Sequence, residues 1–281
     1  MRLLVFGRTG QVATEIGRLD PGALRLGRAE ADLMDPEACA RAVVAADVDA
    51  VVNAAAWTAV DRAEAEEDAA TVVNGAAPAA IARACAARRL PLVHLSTDHV
   101  FPGTGDLPWR PDDPPAPVNA YGRTKLRGEE KVRAAGGPHV VLRTSWVFAA
   151  HGSNFVGTML RLGATRDVVR VVADQVGGPT PARDVARACL LVARALRDGV
   201  PGGTHHLAGA PAVSRADLAA AVMEEAGLPC SVRPVATTDR PTPAPRPLNS
   251  RLDGASLAAA FGIEPPDWRA GLRDVLAELG A

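Results

Sequence analysis

Hydrophobic residues in the first half of the chain form short unbroken runs separated by longer amphipathic stretches. The runs include Leu3–Phe6, Ala50–Asn53 and Pro91–Ser96. Unbroken apolar runs of this length are typical of strands that a parallel sheet buries on both faces. The stretches between them, such as Pro36–Ala46 and Asp68–Arg89, carry apolar residues at helical spacing. The pattern therefore predicts an α/β fold with a doubly wound parallel (Rossmann) sheet.

A glycine-rich turn follows the first predicted strand. Gly7 and Gly10 have the spacing Gly-x-x-Gly-x-x-Ala, and a helical pattern then extends to Leu19. Glycines let the backbone approach a pyrophosphate, which the N-terminus of the next helix attracts. The spacing differs from the usual Gly-x-Gly-x-x-Gly, so an ordinary strand–helix turn is the alternative. We favour a dinucleotide site that includes Gly7, Thr9, Gly10, Gln11 and Val12.

The second predicted strand, Ala23–Leu26, ends without the acidic residue that usually holds the adenine ribose. Arg28 stands there instead. A guanidinium at this place can pair with a 2′-phosphate, which favours NADPH over NADH, or it can be a solvated loop arginine. Asp32 and Leu33 precede the next helix and are candidates for the adenine pocket.

Small residues follow the third strand, where Ala54, Ala55 and Ala56 leave room for an extended ligand at the carboxyl end of the sheet. Helix or core packing explains such an alanine run equally well. Asn74, on the long helix Asp68–Arg89, is a further candidate for this site, with a solvent-facing position as its alternative.

The fourth predicted strand ends in Ser96 and Thr97. Hydroxyls at the carboxyl end of a central strand lie in the crevice where open α/β sheets bind ligands. Thr97 can donate to a substrate carbonyl, or the pair can simply cap the strand and begin a turn. The long irregular segment Pro102–Val118 follows, and loops of this length are usually functional or disordered.

Tyr121 and Lys125 carry the strongest chemical signal. Tyr121 is the only tyrosine, and Lys125 is one of two lysines in the chain. Residues four apart share one face of a helix, and Asn119–Arg133 has helical character. An ammonium beside a phenol is expected to lower the pKa of the tyrosine and make it a general acid. The alternative is a chance pair on a surface helix.

The second half has a different character and predicts a smaller lobe. Trp146 follows the fifth strand, His139–Arg143, and helices are predicted at Ala182–Leu196 and Arg215–Ala226. We expect a dinucleotide-binding domain over residues 1–145 and a mainly substrate-binding α/β lobe over residues 146–281, packed around one cleft.

Composition narrows the functional class. The 281 residues have a formal net charge of −1, which argues against nucleic-acid or membrane-surface binding. No apolar run is long enough to span a membrane, and no signal pattern precedes the first strand. The four cysteines are widely separated and show no metal-ligand spacing, so reduced thiols in a cytoplasmic protein are expected.

Taken together, the motifs resemble a known family. Gly7-x-x-Gly10, Ser96-Thr97-Asp98, Tyr121-x-x-x-Lys125 and Arg143-Thr-Ser-Trp146 follow the extended short-chain dehydrogenase/reductase pattern. More narrowly, almost the whole chain is similar to the dTDP-4-dehydrorhamnose reductase family. Its supporting segments include Val52–Ala56, Phe101–Gly105, Asn154-Phe155, Asp174-Gln175, Gly178–Thr180 and Arg246–Arg251.

The resemblance implies an NAD(P)H-dependent oxidoreductase of dTDP-rhamnose biosynthesis that reduces the C4 ketone of a dTDP-4-keto-6-deoxyhexose. NADPH is the expected cofactor, with NADH as an alternative. Tyr121 would protonate the C4 oxygen, Lys125 would hold the nicotinamide ribose, and Thr97 would orient the carbonyl. The implied substrate contacts are Ser96, Thr97, His99, Trp146, Asn154, Gln175 and Arg246.

Two departures from the family pattern leave alternatives open. His99 stands where the family usually has a second tyrosine, which favours a related deoxysugar 4-ketoreductase of antibiotic biosynthesis. Some members dimerise around Mg²⁺, and Glu15 and Glu278 match two of its ligands, but Arg183 takes the third place. No metal site is therefore expected, and the chain is expected to be a monomer or a homodimer. A non-catalytic NADP-binding regulatory subunit is the alternative of another class.

Overall fold

The computed structural model covers residues 1–281, and its first half alternates strands with helices as the hydrophobic pattern predicts. The regular elements up to residue 144 are, in chain order, β1 (Leu3–Phe6), α1 (Gln11–Leu19), β2 (Leu24–Leu26), α2 (Pro36–Ala45), β3 (Ala50–Asn53), α3 (Val60–Ala65), α4 (Glu67–Thr71), α5 (Ala77–Ala87), β4 (Leu92–Thr97), α6 (Ala120–Ala134) and β5 (His139–Thr144). A π-helical turn, Val72–Ala76, joins α4 to α5.

The second half contains shorter strands and four longer helices. Its elements are β6 (Val147–Phe148), α7 (Phe155–Gly163), β7 (Val168–Val172), β8 (Val176–Gly177), β9 (Thr180–Pro181), α8 (Ala182–Arg197), β10 (Gly203–Leu207), β11 (Val213–Ser214), α9 (Arg215–Glu225), β12 (Ser231–Val235), β13 (Asn249–Ser250), α10 (Ala255–Phe261) and α11 (Trp268–Leu279).

Six parallel strands form the central sheet in the order β10-β5-β4-β3-β1-β2. The chain runs outward from β1 to β2 and then crosses to β3 on the other side of β1. In open α/β sheets, the carboxyl ends of the strands at such a reversal form the ligand crevice. The glycine turn after β1 and the alanine run after β3 therefore flank one crevice.

Helices cover both faces of the sheet, which explains why β1 is apolar at every position. Leu3 and Val5 of β1 pack into the core under α1 and α8, whereas Leu4 and Phe6 pack into the core under α2 and α5. All four side chains are at most 1% exposed. The predicted doubly wound parallel fold is confirmed.

A separate core holds the second lobe together. It joins α7, α9, α11 and the parallel pair β7 and β12. The predicted division at residue 145 does not follow the sheet, however, because α8 and the edge strand β10 come from beyond it yet belong to the dinucleotide-binding layer. No helix combines the length and apolar character that crossing a membrane requires.

Candidate active site

The turn after β1 brings the backbone of Gly7 into contact with α1 and with the segment that follows β3. Gly7 has φ +119°, and a Cβ there would lie 3.1 Å from Ala13 Cβ and 3.5 Å from the carbonyl of Ala54. Only glycine fits this backbone without strain. The predicted glycine and its small partner at Ala13 thus let β1, α1 and the segment after β3 meet at the crevice.

The N-terminus of α1 faces open space. Gly10 is its N-cap, no side chain caps the helix, and a Cβ on Gly10 would meet nothing within 4 Å. The buried Oε1 of Gln11 has no hydrogen-bond partner. Free amides and the helix dipole at an uncapped N-terminus suit a phosphate group, so these residues fit a pyrophosphate. Val12 differs, because its buried side chain belongs to the core.

A buried polar pair supports the alanine run after β3. Asn53 Nδ2 lies 3.2 Å from His94 Nδ1, and its Oδ1 accepts from Ala55 N at 3.3 Å. Asn53 and His94 are each 1% exposed. Because Nδ1 accepts from the amide, the ring proton is on Nε2. Ala54 and Ala56 are half-buried, as a wall open to a ligand requires.

The residues predicted at the adenine end have different environments. Arg28 is exposed. Asp32 Oδ1 accepts from Met34 N at 3.0 Å and closes a turn before α2. The Leu33 side chain packs into the core under α2. Contacts from Arg28 and Asp32 to a cofactor stay predictions, whereas Leu33 has a structural role.

Helix α6 positions Tyr121 and Lys125. Asn119 caps it, accepting from Gly122 N at 2.8 Å. A Cβ on Gly122 would lie 2.1 Å from the His99 carbonyl oxygen, so the first turn of α6 packs directly on the turn after β4. This close approach places the phenol beside Thr97, which is the last residue of β4.

Tyr121 is a protonated phenol in a buried position. The side chain is 9% exposed. Burial raises the pKa of Tyr121 to about 12, while the Thr97 side chain lowers it and the Asp98 carboxylate raises it. The prediction that Lys125 lowers this pKa is wrong for this structure. Thr97 donates to Asp98 Oδ1 at 3.1 Å and accepts from His99 N at 3.2 Å, so its hydroxyl is held in place.

Lys125 is buried behind the phenol rather than bound to it. Its side chain is 2% exposed, and Nζ donates to the Leu95 carbonyl at 2.7 Å. Burial lowers the pKa of Lys125 to about 8, opposed by the carboxylate of Glu129 one turn further along α6. The ammonium therefore keeps two donors beyond the Leu95 bond for a ligand.

His99 lies against Tyr121. The two rings meet edge to face, with centroids 5.3 Å apart and an interplanar angle of 76°. His99 Nδ1 is 2.9 Å from Asn119 Nδ2, which also donates to the Pro245 carbonyl at 2.8 Å. Burial lowers the pKa of His99, so the ring is neutral at pH 7. The imidazole of His99 thus stands beside the Tyr121 phenol, and its predicted contact with the substrate stays a prediction.

A buried ion pair between Arg143 of β5 and Glu129 of α6 joins the sheet to this helix. Arg143 of β5 donates to both carboxylate oxygens of Glu129, at 2.9 and 2.7 Å. Ser96 donates to the same carboxylate at 2.6 Å. Arg143 also donates to the carbonyl of Pro111, in the long loop 102–118, at 3.1 Å. The Ser96 hydroxyl proton is thus committed to Glu129, and the predicted contact of Ser96 with substrate stays a prediction.

Trp146 and Arg215 form the facing wall from the second lobe. Trp146 adopts φ +49°, an uncommon conformation for a bulky residue, which occurs mostly at functional sites. The Arg215 guanidinium stacks 3.7 Å from the indole centroid and 5.1 Å from that of Phe155. Burial lowers the pKa of Arg215 to about 10; Asp98 opposes this shift and Arg246 adds to it. These charges thus lie near one another at the cleft.

Arg246 reaches across the cleft. Its Nη2 donates to Asp61 Oδ1 at 2.9 Å, which ties the second lobe to α3. Its other terminal nitrogen, Nη1, is buried and has no partner. Arg246 therefore keeps a free donor, and with Arg215 it supplies two guanidinium groups suited to phosphate oxygens.

Comparisons with known proteins agree with this arrangement. The family model described as RmlD substrate binding domain matches residues 1–281. The dTDP-4-dehydrorhamnose reductase of Escherichia coli K12 is 41% identical, over 99% of this chain and 98% of the relative. That of Burkholderia thailandensis is 44% identical, over 96% of each chain. This chain belongs to the dTDP-4-dehydrorhamnose reductase family.

Solved structures of the family share the whole architecture. A dTDP-4-dehydrorhamnose reductase from Clostridium acetobutylicum superimposes with a TM-score of 0.94 at 33% identity, covering all of both chains. One from Bacillus anthracis, in complex with NADP, has a TM-score of 0.91 at 30% identity and covers 99% of each chain. A relative with the same fold therefore binds NADP.

Three residues expected at the site have local partners instead. Asn154 caps α7, accepting from Gly157 N and donating to the carbonyls of Ala149 and His151. Both N–H groups of its amide are thus committed to these carbonyls, and the predicted contact of Asn154 with the substrate stays a prediction.

Asn74 and Gln175 are also engaged. Asn74 exchanges hydrogen bonds with the Trp57 backbone and donates to Thr124 Oγ1 at 3.0 Å. It bridges backbone near the site, and its predicted contact with the cofactor stays a prediction. Gln175 Nε2 donates to Thr237 Oγ1 at 3.1 Å, which leaves its amide oxygen for a substrate.

Arg215 and Asp98 are the functional candidates that sequence reasoning missed. Arg215 is the first residue of α9, and nothing in the sequence around it distinguishes it from any other first residue of a helix or links it to Trp146. Asp98 was quoted only as part of a motif, yet it is 3% exposed and its Oδ2 has no partner. Its place beside Thr97 was the available signal.

The Mg²⁺ positions of some family members do not form a cation site here. Arg18 lies between Glu15 and Glu278, donating to the first at 2.9 Å and pairing with the second at 2.7 Å. His151 Nε2 is 2.7 Å from Glu15. The two carboxylates share one guanidinium, whose positive charge would repel a cation at this place, and no cluster of three or more metal-ligating side chains exists in the structure. These residues do not fit Mg²⁺.

Proposed function

We propose that this chain is a reductase that converts dTDP-4-dehydro-β-L-rhamnose to dTDP-β-L-rhamnose by reduction of the C4 ketone. The observation that carries the proposal is the buried group of Thr97, Tyr121 and Lys125 at the carboxyl end of β4, facing the second lobe. Relatives at 41 and 44% identity over nearly the full length carry this name. We propose a cytoplasmic monomer or homodimer, as predicted from the sequence.

The cofactor we propose is NADPH, with NADH as the alternative. When bound, a reduced nicotinamide supplies the hydride. Gly7 and the uncapped N-terminus of α1 would hold the pyrophosphate, and Ala54–Ala56 would line the crevice. The relative from Bacillus anthracis in complex with NADP supports the phosphorylated cofactor.

Tyr121 is proposed as the general acid. A ketone that gains hydride at carbon needs a proton at oxygen, and a phenol of pKa about 12 is protonated at every physiological pH. Thr97 lies beside this phenol, and its hydroxyl proton, which now goes to Asp98, would turn to the same carbonyl oxygen when substrate binds. The two hydroxyls together would fix the ketone and complete its reduction.

Lys125 is proposed to act by charge. An ammonium close to the site stabilises negative charge that develops on the substrate and the phenol during proton transfer. Its remaining donors can hold the hydroxyls of a ribose, as the family resemblance implies. Because its pKa is about 8, the charge is present at neutral pH and is lost as the pH rises above that value.

The second lobe would bind the anionic end of the substrate. Two guanidinium groups, Arg215 and Arg246, have donors that the protein does not use, and diphosphate oxygens are their natural acceptors. Trp146 offers a flat apolar face for the sugar. The proposed reaction thus uses both sides of the cleft: the neutral Tyr121 phenol on one side for the ketone, and the guanidinium groups of Arg215 and Arg246 on the other for the diphosphate.

His99 supports a second candidate, a 4-ketoreductase of a related dTDP-deoxysugar. Its ring contacts Tyr121 directly, so it borders the place where the sugar is reduced. A neutral imidazole and the phenol usual in the family differ in length and in hydrogen-bonding capacity. If the protein binds NADP but reduces no 4-ketosugar, we would conclude that it is a non-catalytic NADP-binding subunit.

The test is NADPH oxidation with a panel of dTDP-4-ketosugars. Tyr121→Phe keeps the ring and removes the proton, and loss of a positioned general acid costs about 10²–10⁴ in rate. Thr97→Val should also lower kcat, whereas Thr165→Val, an exposed matched control in another helix end, should not. A Tyr121→Phe variant that keeps more than about a tenth of kcat, with chemistry rate-limiting, would refute general acid catalysis by Tyr121.

A further inference from the structure

An ion pair occupies the adenosine end of the crevice. The strands β1 and β2 end side by side, with Gly7 N donating to the Leu26 carbonyl at 2.9 Å. Arg8, directly after Gly7, places Nη1 2.7 Å from Glu30 Oε1. The other oxygen of Glu30 accepts from Gly27 N at 2.9 Å. A carboxylate thus spans the turn after β2.

Glu30 lies past Arg28 in the chain, but its carboxylate folds back onto Gly27, directly after β2, where dinucleotide-binding folds usually place the carboxylate that holds the ribose. It comes twenty residues after Gly10, and an acidic residue about 20 residues past the glycine turn accepts from the ribose hydroxyls in NAD-binding sites. Arg8 stands where a guanidinium can accommodate the 2′-phosphate of NADP. The two side chains that can contact the adenine ribose, Glu30 and Arg8, therefore form an ion pair with each other.

We propose that Glu30 sets the choice between NADPH and NADH, because a 2′-phosphate must break its ion pair with Arg8. The inference rests on the proposed function only in that the crevice binds a nicotinamide dinucleotide. A phosphate and a carboxylate have the same sign and seek the same donors on Arg8 and Gly27. NADH avoids this competition, since its 2′-hydroxyl can donate to Glu30 while the ion pair stays closed.

The proposal changes the role of Arg28. Both arginines are exposed, but Arg8 is held at the turn, with Nη2 donating to the Arg25 carbonyl at 3.0 Å. An anchored guanidinium loses less freedom on binding a phosphate than a free one does. Arg8 is therefore the main 2′-phosphate contact, and Arg28 adds attraction from solvent.

The experiment measures binding of two cofactor fragments, 2′,5′-ADP and 5′-AMP, to the full-length chain by titration calorimetry. The variants are Glu30→Gln, Arg8→Gln and Arg28→Ala. Glu225→Gln is the matched control, because it removes a half-buried glutamate that also pairs with an arginine, Arg273, in the second lobe. NADPH and NADH titrations followed by nicotinamide fluorescence repeat the comparison with whole cofactors.

Glu30→Gln should tighten 2′,5′-ADP about fivefold and leave 5′-AMP unchanged or weaker, since only the phosphate gains a free Arg8. Arg8→Gln should weaken 2′,5′-ADP about fivefold, and more than Arg28→Ala does. The control should change neither. Fragment preference that stays within about twofold of the wild type in Glu30→Gln would overturn the proposal. Because no sugar is present, this result is independent of whether the chain reduces a 4-ketosugar.

Discussion

Lys125→Met should make the folded protein more stable while it abolishes most of its activity. The ammonium is 2% exposed and its pKa is lowered to about 8 by burial, against about 10.4 for an unfolded lysine. A lowered pKa means that the folded state disfavours the charged form. At pH 7.5 this costs about 3 kcal/mol, since each pKa unit is about 1.4 kcal/mol. Loss of the hydrogen bond to Leu95 offsets about 1 kcal/mol.

The pH dependence distinguishes this explanation from a simple packing effect. Between the folded and unfolded pKa values the unfolded chain binds more protons at Lys125, so its contribution makes the wild type more stable as the pH rises. The stability advantage of Lys125→Met should therefore shrink by about 2 kcal/mol between pH 7.5 and pH 9.5. Tyr121 and the buried cysteines, whose pKa values are raised, affect both proteins equally and cancel in the difference.

The assay is urea unfolding without cofactor at both pH values, followed by circular dichroism. Lys131→Met is the matched control, because Lys131 is the only other lysine, lies on the same helix and is exposed. It should change the free energy of unfolding by less than about 0.5 kcal/mol at either pH. A Lys125→Met advantage that does not vary with pH would refute a buried, weakly basic ammonium.

The substrate wall and the buried ion pair give two more predictions. His99→Tyr should change the ranking of kcat/KM across a panel of dTDP-4-ketosugars while the Kd for NADPH stays within about twofold; an unchanged ranking would show that the position does not border the sugar. Arg143→Met leaves the carboxylate of Glu129 buried without its main partner, and should lower the free energy of unfolding by about 3 kcal/mol. The exposed control Arg197→Met should change it by less than about 0.5 kcal/mol in the same urea titration.

Sequence reasoning was most accurate where structure depends on neighbours in the chain. The strand Ala50–Asn53 and the helix α6 were predicted to within a residue or two, because side-chain period and capping residues are local properties. Tyr121 and Lys125 four residues apart had to share a helix face. The glycine turn after β1 had to bring backbone close to the crevice.

The hydrogen-bond partners of individual polar side chains were the least predictable feature. Ser96 and Asn154 carry the right chemistry for substrate contacts, yet they donate to Glu129 and to local carbonyls. A polar side chain of either kind bonds to whichever partners the fold places beside it, and most buried polar groups find one. Residue type and position in the sequence therefore did not reveal which neighbour each would have.

The sequence by itself determined the order of strands and helices, the glycine turn after β1, and the spacing of the tyrosine and lysine, since each depends on a few adjacent residues. Only the tertiary structure decided that β10 completes the sheet, that Arg215 stacks on Trp146, and that Arg8 is held by Glu30. It also decided the protonation of the site. A pKa depends on burial and on charges brought from distant segments, and burial raises that of Tyr121 although a lysine lies one turn away.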